Sequence, residues 1–158
     1  MKSYQLTFRQ NLPLSLTEAW DFFSSPLNLA KITPSDMAFK VTSDINMQEK
    51  MYPGMIITYK VSPIGGINLN WMTEITQVSH EKYFIDEQRF GPFKFWHHQH
   101  HFKAIANGVE MTDILTYGLP LGFIGQIAHG IFVKKRLKEI FSYRERKTVE
   151  LFGNLRIS

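Results

Sequence analysis

FWHHQHHFKAIANGVEMTDILTYG, residues 95 to 118, is the stretch that decides the fold. Two runs that alternate in polarity, Phe95 to Ala106 and Val109 to Gly118, flank Asn107-Gly108, a dipeptide that tolerates positive φ at both centres of a tight turn. The pattern predicts an antiparallel hairpin. With Asn107-Gly108 as the turn, Ala106 pairs with Val109, Ala104 with Met111, Phe102 with Asp113, His100 with Leu115 and His98 with Tyr117. Alternation sends Trp96, His98, His100, Phe102, Met111, Asp113, Leu115 and Tyr117 to one face. The other carries His97, Gln99, His101, Lys103, Glu110, Thr112 and Thr116, is far more hydrophilic, and belongs to water.

Working back toward the N-terminus, Tyr83 to Phe90 reads as another strand, and a loop around Gly91-Pro92 places Phe90 by Trp96, Gln88 by His98 and Asp86 by His100. Earlier strands are expected at Phe39 to Asp44, Gly54 to Ser62 and Asn68 to Ser79, with a further loop at Pro63 to Gly66. Tyr4 to Leu12 alternates as an edge strand, with Tyr4, Leu6 and Phe8 on one face. Thr17 stands where an N-cap belongs, before a short helix through Phe23, and a second short helix runs from Leu27 to Ile32. After Gly118 the period changes. Ile127, Gly130, Val133, Leu137, Ile140 and Phe141 recur at three- and four-residue steps from Phe123, the stripe of a long helix ending near Phe152.

The order predicts an α+β chain of one domain, residues 1–158, in which a curved seven-stranded antiparallel sheet wraps a long C-terminal helix. A strongly twisted sheet around one helix leaves a gap between them, where a ligand fits. Gly118, Gly122 and Gly125 flank the start of the helix, and Gly130 on its sheet-facing stripe leaves volume beneath it.

Composition narrows the classes. Apolar residues make up 44% of the 158 residues and the chain holds 13 Phe, enough for a core with interior volume to spare. Cysteine is absent, so disulfides, thiolate metal sites and a cysteine nucleophile are excluded. Seven of the basic residues lie between Lys134 and Lys147 against two acidic ones, so the +4 net charge sits in one segment. That segment reads as a solvated helix face, because no reading motif or aromatic stacking platform for nucleic acid accompanies it. Met1 to Gln10 lacks the apolar run of a signal peptide, and Tyr117 to Val133 is broken by Pro120 and glycines, so a cytoplasmic protein without a membrane span is expected.

The element order resembles the helix-grip fold of the START-like superfamily, also called SRPBCC, which includes the birch pollen allergen, lipid-transfer domains and polyketide cyclases. Asp86-Glu87-Gln88, Gly91-Pro92, Trp96, His98, His100, Phe102, Asp113, Tyr117, Leu119-Pro120 and Gly122 resemble the pattern of a bacterial subgroup of small, mostly uncharacterised members. Such relatives occur alone or joined to sugar-nucleotide epimerase-like domains. The resemblance covers nearly the whole chain and implies a pocket rather than a reaction.

The inner wall read from pairing mixes large apolar groups with Asp86, Gln88, His98, His100, Asp113 and Tyr117. Buried polar groups need partners, at a cost of roughly 1–3 kcal/mol each when unpaired. They must bond one another, water or a ligand. A hydrophobic or amphipathic small molecule held by this wall, with Tyr59, Trp71, Phe84 and Trp96 in apolar contact, is the leading reading. A cyclase- or isomerase-like enzyme would use Asp86 to orient His100 as a base. A stress-linked interaction protein with a vestigial pocket is a third reading. A metal is not expected, because only His98 and His100 of the four clustered histidines turn inward and a carboxylate would have to complete the set. No cofactor fingerprint, phosphate loop or nucleophile elbow is present. Oligomeric state is not legible.

Overall fold

A computed structural model describes residues 2–46, 49–62, 66–120 and 132–155. Strand β1 (Ser3–Leu12) leads to helix α1 (Leu16–Phe23) and two 3₁₀ helices, Pro26–Ile32 and Ser35–Met37. A meander follows: β2 (Lys40–Val41), β3 (Ile56–Val61), β4 (Leu69–Ser79), β5 (Tyr83–Phe90), β6 (Phe95–Ile105) and β7 (Gly108–Gly118). Helix α2 (Lys134–Phe152) closes the chain. The seven strands form one antiparallel sheet in the order β1-β7-β6-β5-β4-β3-β2, so β1 is an edge strand as its alternation implies.

Helix α1 is capped two residues earlier than Thr17. Ser15 is the N-cap, its hydroxyl accepting from the Glu18 amide while the Glu18 carboxylate accepts from the Ser15 amide at 2.8 Å. This reciprocal pair satisfies two amides that the first helical turn leaves free, and it outcompetes Thr17, which lacks a partner three residues on. Thr17 instead donates to Glu81 at 2.6 Å. Strand β2 is much shorter than Phe39 to Asp44. Beyond Val41, the amides of Thr42 and Ser43 both turn to the carbonyl of Thr58, which ends regular pairing.

The register at the central hairpin differs from the sequence expectation by two residues. Ala106 and Asn107 form the turn, Ile105 pairs with Gly108, and Asp113 therefore faces His100 rather than Phe102. Only Asn107 takes a positive φ, at 62°. Gly108 is already a strand residue, and it is glycine for another reason: a Cβ there would lie 2.2 Å from the Leu12 carbonyl oxygen of β1. The pairing of β5 with β6 is offset by two as well, setting Asp86 opposite His98 and Phe84 opposite His100. A two-residue shift preserves the face of every side chain, so the predicted inner row is inward regardless. His98, His100, Phe102, Met111, Asp113, Leu115 and Tyr117 are buried and Trp96 partly so.

The stripe of α2 lies on the concave face. Leu137 and Phe141 pack with Leu115 and Tyr117, and Phe8 of β1 stacks on Phe141 at 4.0 Å. Ile140 packs with Met37 and Val61. The expected upstream part of this helix, from Phe123 through Ile127 and Gly130, lies outside the described residues, as do Gly122, Gly125 and Pro63 to Gly65. No described helix is long and apolar enough to cross a membrane.

Gly108→Ala should cost about 1–3 kcal/mol by forcing β1 away from the hairpin, as inserted carbon in a packed site does. Urea denaturation of the variant checks this, and a stability equal to wild type would contradict the close approach. Asn107→Gly, which keeps the positive φ without strain, should leave the midpoint nearly unchanged.

Candidate functional site

Between sheet and helix lies a cavity of about 360 Å³. Its walls are overwhelmingly apolar and draw on four separate hydrophobic clusters. Phe23, Ile32 and Phe84 come from the one under α1, and Leu137 and Phe141 from the one under α2. Val61 with Ile140, and Ile57 with Ile75, represent the other two. A closed core would merge such clusters into one. Here they stand around a void.

On the sheet side of that void is a four-residue charge cluster spanning β5, β6 and β7. Alternation brings His98 and His100 to the same face, and their rings lie 3.8 Å apart. Asp86 Oδ2 stands at one end, 2.8 Å from His100 Nε2 and 3.4 Å from His98 Nδ1. Asp113 Oδ1 stands at the other, 3.0 Å from His98 Nε2 and 2.8 Å from His100 Nδ1. The last contact lies off the line a hydrogen bond requires, so it is electrostatic only. Trp96 Nε1 donates to the second Asp86 oxygen at 3.3 Å. Phe84 stacks on the His100 ring at 4.1 Å, and Phe141 meets His98 edge-on.

The electrostatics follow from this arrangement. Burial alone would drive His98 toward its neutral form, but its hydrogen bonds to Asp113 and Asp86 and their charges carry it up to about 9. Burial likewise opposes ionisation of Asp86 and Asp113, and their contacts with His100 and His98 overcome it, holding both carboxyls well below the usual range. At neutral pH His98 is thus a cation between two carboxylates.

The other expected residues divide. Tyr59, Trp71, Phe84, Asp86, Trp96, His98 and His100 line the cavity. Tyr59 O–H and Trp71 Nε1 both donate to Thr73 Oγ1, and burial raises the Tyr59 pKa, with the Asp86 charge adding to the effect. Asp113, bound to the histidines, and Tyr117, packed between Tyr4 and Phe93, are buried but not part of the cavity wall, and burial pushes Tyr117 up to about 12. Gln88 is engaged elsewhere. Its side chain accepts from the Phe93 amide at 3.2 Å and donates to the Phe93 carbonyl at 2.6 Å, pinning the loop that carries Pro92 and Phe93 to the cavity.

Sequence reasoning misses Arg144 and Thr73. Arg144 belongs by composition to the solvated basic face, yet it lines the cavity. Its spacing holds the signal, because Leu137, Phe141 and Arg144 follow the seven-residue step of the buried stripe. Burial draws its pKa down while Asp113 and Asp86 oppose that effect. Arg136 also reaches the cavity and is tied to Asp36 at 2.7 Å.

Asp86, His98 and His100 place ligand atoms within 4.8 Å of one another, a donor set of the two-histidine, one-carboxylate kind. Those atoms already face each other across the cluster, so a cation would have to displace the protons between them.

Comparison with solved structures settles the architecture. The protein CV1439 from Chromobacterium violaceum superposes with a TM-score of 0.72 at 9% identity, covering 96% of this chain and 98% of that one. The chain has the helix-grip fold. Ginseng major latex-like protein 151 from Panax ginseng matches with a TM-score of 0.68 at 13% identity over 95% of this chain and 97% of its own. Ara h 8.0201 does so at 0.59 and 12% over 94% and 99%. No family model and no curated protein sequence matches the chain.

The pH dependence of stability follows from the cluster with a definite sign. His98 has a raised folded-state pKa, so its contribution is complete below about 6.5 and is lost as pH climbs through about 9. The two aspartates have depressed values, so theirs is complete above about 4 and is lost as pH falls below that. Melting temperature should be highest between these limits, and His98→Gln should remove much of the alkaline fall. A wild-type Tm that stays level from about pH 6 to about pH 9.5 would contradict the cluster.

Proposed function

We propose that this protein binds and carries a hydrophobic or amphipathic small molecule in the cavity between the sheet and α2. The observation that supports the reading is the combination of an apolar void with one polar, ionised patch on its wall. Ligand sites generally pair a large apolar surface with a few fixed polar groups in a volume of roughly 300–1,000 Å³, and this cavity falls within that range at about 360 Å³. Apolar walls alone favour collapse onto a void. The ring of clusters from four parts of the fold resists it, because each is anchored to a different strand or helix.

Acid–base catalysis by His100 and Asp86 is the competing use of the same wall. A general base must present a lone pair to the substrate. Both ring nitrogens of His98 and both of His100 face Asp86 or Asp113 instead. This favours carriage over turnover.

Trp71 and Trp96 line the cavity and report on its contents. Titration with dodecanol should change their emission saturably, with Kd near the micromolar range, about −8 kcal/mol. Trp71→Phe and Trp96→Phe should each remove part of the signal without abolishing binding measured by calorimetry. Dodecanol that neither shifts the emission nor releases heat would count against carriage, and native mass spectrometry of protein taken from cells would then be expected to show the bare chain mass.

A further inference from the structure

Around the cavity wall, each charged group but one touches an opposite charge among the described residues. Asp86 and Asp113 are each held by both histidines. Arg136 is held by Asp36. Arg144 is different. Its Nε is shut off from solvent and meets no hydrogen-bond partner, and among the described residues no carboxylate reaches it as an ion pair. The remaining residues of the chain contain no Asp or Glu that could supply one. The guanidinium lies over the Phe141 ring, 5.1 Å from its centroid, on the helix face that lines the cavity.

The side chain is half-buried, and a closed-off N–H without a partner in contact is costly, since a buried polar group needs a hydrogen bond to replace the water it has lost. We propose that Arg144 is the anchor for an anionic headgroup, and that the ligand is a long-chain monocarboxylate with its tail among Phe23, Ile57, Ile75 and Phe84. The proposal rests on the carriage reading and names the class of molecule carried.

Three features single out a carboxylate. The planar fork of a guanidinium matches the two oxygens of a carboxylate in a bidentate pair. One arginine balances one negative charge, whereas a phosphate dianion would bring a second charge into a wall that already holds Asp86 and Asp113. An apolar wall accommodates an alkyl chain and offers few partners to a polar one, since outside the charge cluster and Arg144 the lining is chiefly Phe, Trp, Ile, Leu, Met and Val. The histidine–aspartate cluster does not compete for the headgroup. Its acceptors are occupied, and its net field is reduced by the mutual pairing of opposite charges.

The experiment compares dodecanoate with dodecanol by calorimetry on the full chain, at a pH where the acid is ionised and below the concentration at which either aggregates. Dodecanoate should bind about tenfold or more tightly than dodecanol, the size expected of a hydrogen-bonded charge pair. Arg144→Met, similar in length and uncharged, should bring the acid to the affinity of the alcohol while leaving the alcohol within about twofold. Arg144→Lys keeps the charge and loses the fork, and should retain part of the preference. Equal affinity of the wild-type protein for acid and alcohol overturns the anchor and leaves carriage standing. A preference for the acid that survives Arg144→Met overturns the assignment to this residue. Binding of neither molecule overturns carriage itself, and the anchor with it. The wild-type comparison alone decides the main point should the Met variant fail to fold.

Discussion

Two aspartates and two histidines on three neighbouring strands form an interior ionic cluster that constrains how those strands align. Charges taken out of water are tolerated only when opposite charges meet them in good geometry, and removing one partner of such a set typically costs about 3–5 kcal/mol. Two hairpin registers compete here, and both keep the same residues inside. The turn centred on Asn107-Gly108 would set Asp113 against Phe102, whereas the turn at Ala106-Asn107 sets it against His100. Alternation cannot choose between them. The ionic contacts can, and the approach of Leu12 to Gly108 acts in the same direction from the opposite edge of β7.

Once register is set, the sheet's curvature determines what the helix can cover. Register shifts at Met72/Thr73 and Ile75/Gln77 bend β4, and bulges of this kind increase local twist. A helix of one stripe cannot follow a surface that turns away from it on both sides. It packs tightly over β1 and β7, where Phe8, Leu115 and Tyr117 meet Leu137 and Phe141. Over β3, β4 and β5 it meets the sheet at the far rim, where Ile140 packs with Met37 and Val61 and the cluster is joined by Phe39 and Trp71. The void is what remains between these two contacts, and the ionic cluster lies along its edge because β6 stands between the covered strands β1 and β7 and the uncovered β5.

Much of this is legible in the sequence, for physical reasons that also mark the limits. Alternation in residues 95–118 has a strict period of two, so the inward row is readable even with the register displaced by two. The strand span Tyr83–Phe90 is readable because turn residues bound it at both ends. Gln88 departs from its expected place because facing a side chain inward does not say how far it reaches, and the Phe93 backbone lies within its grasp. Asp113 and Tyr117 turn inward as alternation requires, yet cross-strand neighbours cover them. Arg144 is the larger omission. Composition treats a run of basic residues as one body of charge, while a helix divides it by angle: Lys134, Lys135, Lys138 and Arg146 are exposed, and Arg136 and Arg144 are not.

The solved structures that share this architecture do so at 9–13% identity, a level at which only the backbone path is held in common. A fold of this kind supplies a concave sheet, a covering helix and the space between them, and leaves the contents to whichever side chains face inward. In this chain those side chains fall into two groups. In the cluster of Asp86, His98, His100 and Asp113 each carboxylate is paired with both histidines, so a guest meets ring faces and paired oxygens there, and His100 Nδ1 is the nitrogen left without a hydrogen bond. The aromatic and aliphatic walls ask only for apolar surface. Selectivity in such a chamber has to come from the group whose demand the protein itself leaves open, since an unmet hydrogen-bonding site discriminates far more sharply than apolar contact does.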